Sequence, residues 1–253
     1  IKADGIYAAI ETESIKTPAL QFGTSNVKLS ILPSEINSNL KINGKDGGIL
    51  YGIDLKAVKE NEEIKLVASP EWIINQRKWT INPSQVLSWT PATKKLLTDV
   101  NIFSDEMHIT IGSDAFDNYE LLLKNVVIDS LIPNELSEFI PLGTLNARVN
   151  YKAAQQNIID FDLNFSNITW QNLAIDQIQS KGNMVSDTSG ILEGVCKISI
   201  GDSATMNLEM GSKKLAKGEM LKGNFSVIPV NLLQPFIGEY VDQMKGTASG
   251  KLV

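Results

Sequence analysis

Ile159-Asp160-Phe161-Asp162-Leu163-Asn164-Phe165-Ser166 alternates an apolar with a polar residue at every step. Successive side chains of an extended strand leave opposite faces of a sheet. Ile159, Phe161, Leu163 and Phe165 therefore share one face, and Asp160, Asp162, Asn164 and Ser166 the other. The stretch predicts a strand with one dry and one wet face, as in an antiparallel sheet.

The same pattern recurs outward from this stretch. Val27, Leu29 and Ile31 oppose Lys28 and Ser30; Ile64 and Leu66 oppose Glu63 and Lys65. Met107, Ile109 and Ile111 oppose His108 and Thr110, and Cys196, Ile198 and Ile200 oppose Lys197 and Ser199. Met206, Leu208 and Met210 oppose Thr205, Asn207 and Glu209. Asn43-Gly44-Lys45-Asp46-Gly47-Gly48 reads as a hairpin loop, and Ser186–Gly190 and Gly211–Lys214 read as later turns. Three short helices are expected: Pro91–Leu97, Asn134–Ile140 and Asn231–Val241. The expected fold is all-β: an elongated, curved, mainly antiparallel sheet, groove-like or sandwich-like, with a few short capping helices. Strand should exceed helix at least threefold.

The chain has 253 residues, 43% hydrophobic and 21% charged, with a formal net charge of −6. It can bury a core, so disorder is excluded. No Lys/Arg run tracks phosphates, so nucleic acid is not an expected partner. Cys196 is the only cysteine, which excludes an intramolecular disulfide. No apolar run approaches the ~20 residues that span a bilayer. The chain opens at Ile1 and stops in Gly250-Lys251-Leu252-Val253, which reads as mid-strand. It is expected to be a piece of a longer polypeptide whose anchor lies elsewhere.

An internal repeat is visible. Leu131-Ile132-Pro133, a short helix and Gly143-Thr144-Leu145-Asn146-Ala147 form one copy. Leu233-Gln234-Pro235, a short helix and Gly246-Thr247-Ala248-Ser249-Gly250 form the other, about 100 residues later. The expected divisions are 1–75, an N-terminal β segment, then 76–152 and 153–253, each a β unit with one short helix.

Lys78-Trp79-Thr80-Ile81-Asn82-Pro83-Ser84-Gln85-Val86 resembles the tryptophan–apolar–proline strand of TamB-like proteins of Bacteroidetes. Val100–Phe103, Met107–Gly112, Tyr119–Val126 and Pro141–Ala147 follow in an order similar to one unit of that family. The resemblance covers roughly residues 76–253; residues 1–75 match only in their alternation. It implies an AsmA-like periplasmic protein of Gram-negative bacteria, anchored in the inner membrane by a segment outside this one. It further implies curved β-sheets with an apolar groove, and phospholipid or unfolded outer-membrane protein as the client. The implied partner is an Omp85-type outer-membrane barrel. The family brings no catalytic residues and no cofactor.

Reading the residues for chemistry leads the same way. His108 is the only histidine, and no nucleophile and orienting group accompany it in the sequence. One cysteine and one histidine leave a zinc site without ligands. Asp160 and Asp162 lie about 6.6 Å apart on one strand, whereas a hydrolytic carboxylate pair usually straddles a cleft. A wet sheet face accounts for them. Asn167-Ile168-Thr169 and Asn224-Phe225-Ser226 match glycosylation sequons, which a bacterial source leaves silent. No metal, cofactor or catalytic residue is therefore expected.

The residues expected to matter are apolar: Phe161, Leu163, Phe165, Ile198, Ile200, Met206, Leu208 and Phe225, lining one sheet face. That face is either a sealed sandwich core or an open trough for acyl chains or client strands. The alternative function is a β-sandwich cell-surface binding or adhesion module for glycan or protein. Trp72, Trp79, Trp89 and Trp170 are not spaced as the exposed platforms a glycan module uses.

Overall fold

A computed structural model describes residues 5–16, 21–82, 85–114, 118–133, 136, 139–153, 157–171, 173–186, 192–202, 204–210, 221–233 and 245–252. Of these, 76% are strand and 4% helical, in antiparallel ladders, which establishes the all-β class. The chain divides into two compact units: Ile1–Asp117 with Asp129–Leu136, and Asn118–Ile128 with Ser137–Val253.

The first unit contains β1 (Ile6–Thr12), β2 (Ile15–Lys16), β3 (Gln21–Phe22), β4 (Ser25–Ile31), β5 (Glu35–Asn43) and β6 (Ile49–Glu60). It continues with β7 (Glu63–Ala68), β8 (Glu71–Ile74), β9 (Arg77–Ile81), β10 (Val86–Thr90), β11 (Lys95–Ser104) and β12 (Met107–Ser113). β1, β4, β5 and β6 pair in turn, and β2 and β3 form a separate two-stranded ladder. From β6 the sheet forks. One end runs through β7 and β10 to β11, the other through β8 and β9 to β11, which then pairs with β12.

The forks arise where the backbone leaves the ladder. Pro70 has no N–H to donate, so the line of β7 stops and β8 starts beyond it. Its carbonyl accepts from Ile81 N at 2.9 Å. Asn82 exchanges two bonds with Asn101, through its own N–H and through its side-chain Oδ1, and Gln85 Nε2 donates to Ala68 O. The expected Lys78–Val86 strand is thus two strands, with Pro83 and Ser84 outside the described residues. The β8–β9 turn places Asn75 and Gln76 at φ 49° and 64°, the left-handed pair that a tight hairpin demands.

The Asn43–Gly48 hairpin forms as expected: Gly44 N donates to Gly48 O, and Gly47 adopts φ 81°. The expected Pro91–Leu97 helix does not form. Pro91–Lys94 is a turn, closed by Lys94 at φ 56°, and Lys95–Leu97 open β11. The left-handed lysine ends the helical turn, and the alternating register of β11 takes over. Residues 134, 135, 137 and 138 of the Asn134–Ile140 helix lie outside the described residues, as do 187–190 and 211–214 of the expected turns. Of Asn231–Val241, residues 231–233 end a 3-10 turn and the rest lie outside the described residues.

The second unit is an eight-strand meander: β13 (Asn118–Val127), β14 (Leu142–Lys152), β15 (Ile158–Trp170), β16 (Leu173–Ser186), β17 (Leu192–Ile200), β18 (Ala204–Met210), β19 (Leu221–Pro229) and β20 (Thr247–Leu252). Each pairs with the next.

The repeat is visible in its backbone. β13 and β19 each carry a bulge with a left-handed residue, Asn125 (φ 52°) and Val227 (φ 56°). The N–H of each is held by a side chain of the paired strand, Asn146 Oδ1 at 2.8 Å and Ser249 Oγ at 2.9 Å. A 3-10 turn follows in both, Ile128–Ser130 and Val230–Leu233. A left-handed valine is a backbone outlier, and the two copies share a matching hydrogen bond at the matching position of the bulge.

Candidate functional site

Directly paired residues of an antiparallel ladder project to the same face. In the second unit this gathers the expected residues into rows across the meander. One row runs Ala147, Leu163, Ser180, Ile198, Met206, Phe225 and Gly250. The next runs Val149, Phe161, Gly182, Cys196, Leu208 and Gly223, and a third Leu145, Phe165, Ile178, Ile200 and Ala204. All eight expected residues share this face, and all eight are half-buried.

Much of that partial burial is local. A Cβ placed on Gly182 would lie 2.7 Å from Phe161 Cζ, and one on Gly250 would lie 2.9 Å from Phe225 Cζ. Both rings therefore lie over a cross-strand glycine, an arrangement that covers the bare backbone with aromatic surface. The sulfur of Cys196 sits 3.3 Å from Ser180 Oγ on the same face.

The opposite face is a lattice of charges. Asp160 pairs with Lys152 at 2.9 Å, Asp162 with Lys181 at 3.2 Å, and Glu120 with Arg148 at 2.7 Å. The two aspartates are thus cross-strand ion-pair members, each with its own lysine. Around them lies a shallow depression of about 540 Å³. In the first unit Lys56 bonds Glu35 and, with Asn37, holds that carboxyl below the usual carboxylate range. Glu60 likewise raises the Lys65 ammonium. Both pairs lie at the surface, that of Lys56 and Glu35 half-buried, and contribute little stability. His108 is exposed and stacks on Phe103, its cross-strand neighbour, with ring centroids 6.2 Å apart. Among the described residues, no three His, Cys, Asp or Glu side chains converge as a metal site would need.

His108→Ala is expected to leave every functional readout unchanged and to shift stability by no more than about 1 kcal/mol, the scale of one aromatic pair. Loss of function in a complementation assay, with the fold intact, would overturn this.

The most open apolar surface is in the first unit, where sequence reasoning placed no site. Ile6, Ile31, Ile36, Ala57 and Leu66 form one row, and Ala8, Leu29, Ser38, Leu55 and Ala68 the next. Ile10, Val27, Leu40 and Ile53 form a third row on the same face. Ile6 and Ile10 are 66% and 65% exposed, and Val27, Leu29, Ile36 and Leu66 all exceed one-third. The signal was present in the alternation of Val27, Leu29 and Ile31. Alternation names a face and is silent on what covers it.

The same face is sealed at its other end, where Trp79, Ile81 and Met107 are 0%, 1% and 4% exposed. Asp129–Pro133 crosses it as a strap. Tyr51 OH donates to Leu131 O, Asn75 Nδ2 donates to Asp129 O and Ile132 O, and Ser130 Oγ lies 3.2 Å from Met107 Sδ. Tyr51 stands on β6 and Met107 on β12. The strap therefore reaches from β6 to β12, which are joined through β8, β9 and β11.

No protein-family model, no curated protein and no solved structure matches this chain.

Proposed function

We propose that this chain shields apolar chains from water, lipid acyl chains first and unfolded outer-membrane protein strands second. It would do so as a non-catalytic part of a TamB-like periplasmic protein anchored in the inner membrane, working with an outer-membrane barrel. The observation that carries the reading is the open half of the first unit's apolar face. Ile6, Ile10, Val27, Leu29, Ile36 and Leu66 lie in register and remain accessible. Contiguous apolar surface of this kind on a folded domain marks a binding surface. Burying each methylene is worth about 0.8 kcal/mol, so a saturated chain laid along these rows gains enough to offset the cost of ordering it.

The test is titration of the chain with a fluorescent fatty acid, followed by displacement with phospholipid. Saturable binding is expected, weakened at least about tenfold by Leu29→Asp, because an ion on the path must be stripped of water. Absence of binding, or binding indifferent to Leu29→Asp, overturns the reading.

A second reading, a surface module for glycan or protein, rests on a different feature. A depression of about 800 Å³ in the first unit is lined by Tyr7, Lys28, Asn37, Asn39, Asp54 and Lys56 as well as by Ala8, Leu29, Leu55 and Ala68. Glycan-array binding that is lost in Tyr7→Ala and unaffected by Ile36→Asp would favour it.

A further inference from the structure

We infer that β1 is a pairing edge whose occupant is β1 of a second copy of this chain, docked antiparallel about a two-fold axis at Ala8. The inference does not depend on the acyl-chain reading; it rests on the backbone and side chains of β1 itself.

The hydrogen bonds around β4 show which backbone groups of β1 are already engaged. Leu32 N donates to Glu35 O at one end of the β4–β5 ladder, and Asn43 N donates to Thr24 O at the other. Bonded pairs alternate with unbonded ones along an antiparallel ladder. The even-numbered residues of β4 therefore turn their N–H and C=O toward β5, and Ser25, Val27, Leu29 and Ile31 turn theirs toward β1. Opposite these four stand Thr12, Ile10, Ala8 and Ile6. That leaves the N–H and C=O of Tyr7, Ala9 and Glu11 directed away from β4. Among the described residues, the ladder with β4 is the only one that includes β1, and Ile6, Tyr7 and Ile10 are 66%, 70% and 65% exposed.

Nothing blunts this edge. Its register with β4 is unbroken, and Ile6–Ile10 holds no proline and no charge, the usual devices that keep a free strand from pairing. Outward N–H and C=O groups at strand spacing are matched by the backbone of another extended strand. The side chains say which strand. A second β1, run antiparallel about Ala8, places Ile6 opposite Ile10 of the second copy and Ala8 opposite Ala8 on the apolar face. On the other face the bulky Tyr7 falls opposite the small Ala9 of the second copy, twice. Tyr7 and Ala9 meet as bonded pairs, and Ile6 and Ile10 as the closer, unbonded kind. Glu11, the only charge on β1, falls opposite Gly5. The two carboxylates then stand about 20 Å apart along the strands, at a rise of about 3.3 Å per residue, so no like charges meet. The row that begins at Ile6 runs on into the row that begins at Ile10 of the second copy, and the two apolar faces become one.

The experiment is sedimentation equilibrium of the whole chain over a wide concentration range, where a reversible monomer–dimer equilibrium is expected. Ala9→Pro deletes an outward N–H and leaves the β4 ladder intact, since a free edge tolerates proline. It should weaken dimerisation about tenfold or more, because two symmetry-related bonds are lost. Its urea midpoint, taken where the chain is monomeric, should stay close to that of the unaltered chain. Ala8→Pro deletes an N–H bonded to β4 and should lower that midpoint clearly. Ile6→Lys and Ile10→Glu test the register: each alone should weaken self-association, and mixing the two chains should restore it. In the mixed pair the introduced ammonium and carboxylate lie directly opposite one another.

A chain that stays monomeric throughout overturns the inference, and so does a dimer indifferent to Ala9→Pro, which would use another surface. A species that keeps growing beyond two copies overturns the closed two-fold pairing. Ala8→Pro as mild as Ala9→Pro overturns the assignment of inward and outward groups on which the pairing stands. Failure of the mixed chains to recover association overturns the register about Ala8, and the second copy as occupant with it.

Discussion

Trp79→Ala is expected to destabilise the first unit by about 3–5 kcal/mol, the usual result of truncating a fully buried large side chain. Trp79 is 0% exposed and faces Trp72 across the β8–β9 hairpin, whose turn residue Asn75 anchors the strap. Two terms act in opposite directions. Removing the indole leaves a cavity. It also removes an N–H that is buried without an acceptor among the described residues, whose penalty is on the order of 1–3 kcal/mol. The cavity term is the larger, so the loss should fall toward the lower end of the range. Trp79→Phe separates the terms, because it keeps most of the volume and deletes the orphan donor; it should cost less than about 1.5 kcal/mol. Urea denaturation of both variants decides it. A cost for Trp79→Ala near that of an exposed substitution would mean the indole is not buried.

The class of fold was legible because period two is a local signal. The alternation of Ile159–Ser166 and of Met107–Ile111 needed no knowledge of partners, and both became strands of the expected facing. The Asn43–Gly48 hairpin was legible for the same reason. Its glycines and asparagine specify a turn without reference to the rest of the chain.

What failed was decided at long range. Pro91–Leu97 carries a proline and two leucines at helical spacing, but Leu96 and Leu97 are also adjacent residues of a long strand pairing with Val86–Thr90 and Met107–Ser113. The ladder that Lys95–Leu97 form with Ser88–Thr90 outweighs the propensity of a seven-residue segment. The break of Lys78–Val86 into two strands depends on Asn101 and Ala68, which no reading of those residues alone would supply. The site divides the same way. Register placed Phe161, Leu163, Phe165, Ile198, Ile200, Met206, Leu208 and Phe225 on one face, as their spacing implied. Among the described residues the most accessible apolar rows nevertheless belong to β1, β4 and β5, because alternation names a face and does not say what covers it.

That difference in cover sets up the sharpest contrast in stability along one face. Ile81→Asp is expected to cost about 3–5 kcal/mol at neutral pH, as for an uncompensated charge in a buried site. Ile81 is 1% exposed, and its cross-strand partner Ile102 offers no counter-charge. Leu29→Asp, on the open part of the same face at 37% exposure, should cost only about 1 kcal/mol, chiefly through the poor strand propensity of aspartate. Water keeps the second carboxylate hydrated and never reaches the first. The two costs also separate with pH. Burial raises the folded-state pKa of the carboxyl introduced at Ile81 above its unfolded value near 3.9. The charge penalty is therefore absent below the unfolded pKa and grows as pH rises above it. Lowering the pH from neutral toward 4 should accordingly recover part of the stability of Ile81→Asp and little of that of Leu29→Asp. Urea titrations of the two variants at both pH values measure this directly. If Leu29→Asp proves as damaging as Ile81→Asp, the face is dry along its whole length, and no surface remains on which an acyl chain could lie.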